Sequence, residues 1–193
     1  DEKRWRGVWA EDPSKAHAER VFLIGSFLML VAFLLGVVGT GLYTKCGRRM
    51  YAAIGVAMAV PSWVVPGLVW VCAEDGRRLW WDRFWVKANV WVAIFGFVGN
   101  YFWTHYFYSL LGARYTFDTY NFNGVPVPCY LVTHCYFCFY FAFASVVLRR
   151  LGRWWDDAMR GGVFSPEFTP GKVTFLGTAI LVLSYTTALG ETA

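Results

Sequence analysis

Of the 193 residues, 57% are hydrophobic, 20% aromatic and only 16% charged. Soluble domains carry about 25% charged residues, so this composition excludes an ordinary soluble domain or a disordered chain and points to a membrane protein. The net charge of +5 is compatible with nucleic-acid binding in principle, but its distribution along the chain, described below, argues for topology instead.

In chain order, Val21–Tyr43, Tyr51–Cys72, Ala88–Leu111 and Cys129–Leu148 contain no Asp, Glu, Lys or Arg. Each is long enough to cross the ~30 Å hydrocarbon core as a helix. A fifth run, Val173–Leu189, is still apolar near the end of the chain at Ala193. The sequence therefore predicts an all-α polytopic bundle with about five spans (21–43, 51–72, 88–111, 129–148 and 173–193), forming one transmembrane domain over 1–193. The chain starts without Met and stops in apolar sequence, which reads as part of a longer protein. The first span is too long for a cleaved signal and lacks a small-residue cleavage site. Fourteen Lys and Arg fall in 1–20, 73–87 and 149–172, while Lys45, Arg48, Arg49 and Arg114 fall on the alternate connections. That split follows the positive-inside rule and places the amino end in the cytoplasm.

The first span contains the small-residue stretch Gly36, Gly39 and Gly41. It lacks the Lys-Ser/Thr of a phosphate loop and follows no strand, so close helix packing is the better account. The second carries Pro61 and Pro66, each of which removes a backbone donor; the freed carbonyls must be satisfied by a neighbour or a cavity. The connection 73–87 interleaves Glu74, Asp75, Arg77, Arg78, Asp82, Arg83 and Lys87 with Trp80, Trp81, Phe84 and Trp85. It reads first as an interfacial belt and second as a substrate-binding segment.

The third span holds the polar groups hardest to justify in lipid. Asn89 and Asn100 lie eleven residues apart, about three helical turns, with Gly96 between them and Trp103 within one further turn. Such a face must turn inward, as interhelical glue or as the wall of a site. His105 has Tyr101 and Tyr108 within one turn, and on the fourth span His134 has Tyr130 and Cys138 four residues to either side. Intramembrane histidines are hydrogen-bonded packing groups or proton carriers. Glu191 closes the fifth apolar run, where an ionised carboxylate is costly. Of the five cysteines, Cys135 and Cys138 have CxxC spacing, but no second pair stands at ligand spacing, so a buried packing role outweighs a metal or redox one.

Several of these residues also carry a resemblance. The runs Asp82–Asn89 (DRFWVKAN), Val98–Phe107 (VGNYFWTHYF) and Leu111–Phe117 (LGARYTF), with Val125-Pro126, Leu131–His134 (LVTH) and Leu148–Leu151 (LRRL), closely resemble the cycloeucalenol cycloisomerase family of cyclopropyl sterol isomerases from plants and algae. Weaker echoes are Pro13–Lys15, Ala59–Pro61, Ser184-Tyr185 and Glu191, so the likeness covers nearly the whole chain and is dense over 80–151. The chain departs from the family at Phe141 and Val127, where its members have His. Neither position can supply the acid here, which narrows attention to His105, His134, Asp82 and Glu191.

The resemblance implies an isomerase of sterol biosynthesis, an intramolecular lyase that opens the 9β,19-cyclopropane ring of cycloeucalenol to give the Δ8-sterol obtusifoliol. No cofactor, metal or nucleic acid is implied; the partners are the sterol and the bilayer, and the endoplasmic reticulum is the expected membrane. A cyclopropane bond is a very weak base, so the reaction needs a general acid in a dry site, stabilisation of a cation near C9, and a base for the C8 proton. Glu191 is the first candidate for the acid, because burial keeps a carboxyl protonated. His105 or His134 could act as acid or acceptor. Trp103, Tyr101, Trp85 and Trp91 offer π surfaces, and Asn89 or Asn100 a partner for the sterol 3-hydroxyl. From another class, a membrane lipid- or sterol-binding protein or transporter would also use a polar, kinked, aromatic helix core. Inverted repeats would favour a transporter, and none is visible.

Overall fold

A computed structural model describes residues 8–70, 78–114, 116–160 and 169–192, with the side chains of 70, 160 and 190–192 left aside. The chain is all-α apart from one small hairpin. It divides into two compact units, one comprising 10–142 and the other 1–9 with 143–193. Among the described residues, four helical runs are long and apolar enough to cross a membrane: Pro13–Val38, Arg48–Val69, Val127–Met159 and Pro170–Leu189. Many of their apolar side chains face outward, including Leu35 at 69% exposure, Leu68 at 71% and Leu181 at 71%. In water such surfaces would aggregate; against lipid tails they cost nothing.

In the unit 10–142, the first helical run starts upstream of the apolar window. Asp12 accepts a hydrogen bond from the Lys15 amide (3.1 Å), and Pro13 occupies the first helical position. Both are start signals, since the cap satisfies an orphan donor and proline has none to waste. The run proceeds through α1 (Pro13–Val21), a π-helical turn Phe22–Ser26, α2 (Phe27–Phe33) and a second π-helical turn Leu34–Val38. Gly41, at φ +66°, begins the turn that follows. The helix α3 (Arg48–Trp70) contains both Pro61 and Pro66.

The third apolar segment is helical from Phe84 to Leu111 but not uniformly so. It consists of α4 (Phe84–Val98), a π-helical turn Gly99–Thr104 and α5 (His105–Leu111), stopped by Gly112 at φ +67°. Glycine is favoured at that left-handed stop because it has no Cβ to clash. Strands β1 (Asn121–Phe122) and β2 (Val125–Pro126) pair antiparallel across Asn123 and Gly124. Both turn residues have positive φ, 52° and 76°, as an Asn-Gly type I′ hairpin requires. The helix α6 (Val127–Arg160) follows at once.

Two sets of contacts mark the opposite ends of this unit. Arg78 bonds Asp12 (3.3 Å) and the Phe84 amide donates to Ser14 (3.0 Å) at one end. At the other, Arg48 bonds Asp118 (3.1 Å) and Tyr51 stacks on Phe117 at 4.6 Å. Between them, Ala18, Phe22, Trp85, Val86, Ala88, Val92, Cys138 and Ala142 form the core.

In the other unit, the end of α6 packs on α7 (Pro170–Thr192). Lys172 donates to both carboxylate oxygens of Asp156 at 2.9 and 2.8 Å, with both residues buried. Trp155 stacks on Phe175 at 5.1 Å, and Arg149 donates to the Val8 carbonyl at 3.0 Å.

Candidate functional site

Proline 66 sets up the most densely bonded polar cluster of the unit 10–142. It has no N–H to offer the carbonyl one turn earlier, that of Ser62. The Asn89 side-chain amide takes that place, donating to Ser62 O at 2.9 Å and to its own helix at Trp85 O, 3.1 Å. Two carbonyls can only accept, so the amide nitrogen must face them and Oδ1 must face the other way. There Oδ1 accepts from His134 Nε2 at 3.0 Å and from the Cys138 thiol at 3.7 Å. The imidazole therefore carries a hydrogen on Nε2, and Trp63 stacks on its face at 5.3 Å. Asn89 is fully buried, and each of its donor and acceptor positions is taken. It holds α3, α4 and α6 together, with no hydrogen bond left for a ligand.

Proline 66 is gripped a second time. His17, from α1, donates through Nε2 to the Pro66 carbonyl at 3.0 Å, and two residues on the fully buried Glu19 accepts from the Ala10 amide at 3.0 Å. Neither residue belongs to the set predicted from sequence, because both precede the charge-free window. The available signal was the cap pair Asp12-Pro13, which puts both on a helix that faces the core.

The other predicted residues scatter. Asn100 is buried and bonds back to Gly96 O at 2.9 Å, with Thr104 at 3.5 Å. Trp103 does not share its face: it is 61% exposed. The π-helical turn Gly99–Thr104 widens the spiral by about one residue per turn, so the 3.6-residue projection from Asn100 fails at that point. Trp91 is 63% exposed. Trp85 is buried, and its indole Nε1–H has no partner among the described residues. Tyr101 stacks on Phe97 at 5.6 Å. His105 sits apart from the Asn89 cluster, donating through Nδ1 to the Asn123 carbonyl at 2.9 Å while Asn123 donates to Tyr101 O at 2.7 Å. This leaves Nε2 of a neutral His105 as the basic nitrogen. Asp82 is exposed and bonded to Lys87, which holds its carboxyl below the usual carboxylate range. Glu191 lies in the last turn of α7, its side chain outside the described residues.

A separate cavity of about 410 Å³ opens between the α2 end, α3 and the first turns of α6, and none of the residues predicted from sequence lines it. Its wall is Phe33, Val37, Tyr51, Phe117, Val132 and their neighbours, with no charged group.

A curated cycloeucalenol cycloisomerase from Arabidopsis thaliana is 39% identical over 186 residues, covering 96% of this chain and 63% of that protein. The chain thus spans somewhat less than two thirds of the relative's length. No family model matches the sequence, and no solved structure matches it. With identity at that level along nearly its entire length, in a helical membrane framework, the chain is similar to a cycloeucalenol cycloisomerase.

Proposed function

We propose that the protein opens the cyclopropane ring of a cyclopropyl sterol, cycloeucalenol to obtusifoliol, as a multi-pass enzyme of the endoplasmic reticulum with its amino end in the cytoplasm. The observation that carries this reading is the 39% identity, spread over 96% of the chain, to a protein of that name. The chemistry is a proton in and a proton out. An acid delivers a proton to C19, the C9–C19 bond supplies the electron pair, and a cation develops at C9. Loss of the C8 proton then forms the Δ8 double bond, with no net redox change and no cofactor.

Glu191, in the last turn of α7, serves as the donor, the role the resemblance assigns it first. Asp82 is unsuited to that step, being ionised beside Lys87 and open to solvent. His105 is the better acceptor of the two histidines. Its Nδ1–H is fixed by Asn123 and leaves Nε2 to receive a proton, whereas His134 spends its Nε2–H on a saturated Asn89. Asn89 keeps α3, α4 and α6 in register.

The test uses membranes containing the full-length protein, incubated with cycloeucalenol and analysed for obtusifoliol by mass spectrometry. Glu191→Gln is expected to abolish conversion at unchanged membrane expression. Sterol binding without conversion by the wild type would instead favour a sterol-binding protein or transporter.

A further inference from the structure

We infer that the 410 Å³ cavity between the α2 end, α3 and the start of α6 seats the fused-ring nucleus of the sterol; this rests on the activity proposed above and adds to it the place where the substrate lies. The volume falls within the roughly 300–1,000 Å³ of sites that take drug-sized ligands.

The wall selects among apolar occupants. No charged residue lines the cavity, and the hydroxyls of its lining residues belong to Tyr43, Tyr51 and Thr133 alone. The Tyr51 hydroxyl is spent on the Tyr43 carbonyl. Tyr43 and Thr133 remain to meet a ligand that is hydrocarbon throughout save for one hydroxyl. A phospholipid would bring an ionic headgroup that this wall cannot pair, and its flexible chains lose more conformational freedom on entry than a rigid ring system does. The wall is also built rather than incidental. Tyr51 is stacked on Phe117 at 4.6 Å and pinned by its hydroxyl, giving a flat aromatic face. Such a face suits the flat, rigid rings of a sterol. The Asn89 amide, by contrast, is saturated, and Trp91 and Trp103 are exposed.

The experiment is photolabelling of the full-length protein in phosphatidylcholine nanodiscs. The probes are a 9β,19-cyclopropyl sterol bearing a side-chain diazirine and, separately, a diazirine-bearing hexadecanol, with adducts mapped by mass spectrometry. Sterol adducts at Tyr51, Phe117 or Val132, removed by excess unlabelled cycloeucalenol, are the expected result. Hexadecanol labelling of the same residues with equal yield, or sterol adducts confined to the region of Trp91 and Trp103, overturns the proposal even if conversion is intact. Competed labelling in the cavity by a protein that converts no cycloeucalenol upholds the site and removes the proposed activity instead. Val132→Trp, which fills the cavity, should lower kcat/KM at least tenfold. Leu35→Trp, on a surface position 69% exposed, should leave it unchanged; equal effects of the two variants also count against the site.

Discussion

At the scale of single residues, Asn89 is where a polar group in a membrane helix is most fully accounted for. Its amide bonds Ser62 O and Trp85 O, and its oxygen receives His134 and Cys138. Replacing Asn89 by Leu keeps the volume but strands a carbonyl and an imidazole N–H in an apolar interior. Stranded buried groups cost about 1–3 kcal/mol each, so the loss should be on the order of 3 kcal/mol. Denaturant unfolding in mixed micelles measures it, and a loss below about 1 kcal/mol would mean that both groups find other partners. The residue was legible in the sequence as one that must face inward. Its role was not, because a site wall and interhelical glue demand the same residue type. Counting its hydrogen bonds separates them. His17 and Glu19 illustrate the converse: charge-free windows hid two buried polar residues that a reading of the cap at Asp12-Pro13 would have recovered.

At the scale of elements, the two prolines of α3 and the π-helical turn after α4 decide how the segments meet. The sequence implies that a carbonyl freed by Pro66 needs a donor; only the packed helices say that the donor comes from α4, twenty-seven residues away. This makes the pair energetically coupled. Pro66→Ala restores an N–H four residues after Ser62, so the cost of Asn89→Leu should fall by about 1–2 kcal/mol in that background. A double-mutant cycle reads the difference, and simple additivity would show that the proline and the asparagine act independently. The π-helical turn Gly99–Thr104 has a comparable effect on the reading of the third segment. Projection at 3.6 residues per turn groups Asn100 with Trp103, and the wider turn separates them, leaving the indole on the outer surface. No local signal in GNYFWT marks this widening, since propensities for the two helix types scarcely differ.

At the scale of the whole molecule, composition and uninterrupted apolar length are one-dimensional quantities, so the all-α membrane class could be read before any contact was known. Basic-residue asymmetry gives the expected orientation in the same way, with the amino end in the cytoplasm. In sealed microsomes with their cytoplasmic face outward, a protein whose sole cysteine is Cys46 should react with an impermeant maleimide only after permeabilisation. A sole cysteine introduced by Leu79→Cys should react before it. The reverse pattern would invert the assigned orientation. Composition, uninterrupted apolar length and particular motifs were thus enough for the all-α membrane class and the family resemblance. The tertiary structure alone decided that Asn89 and His134 satisfy each other and that the apolar cavity opens beside Tyr51 and Phe117. Those outcomes depend on groups far apart in the chain competing for the same hydrogen bonds and the same space, and no periodicity along one segment encodes the result of that competition.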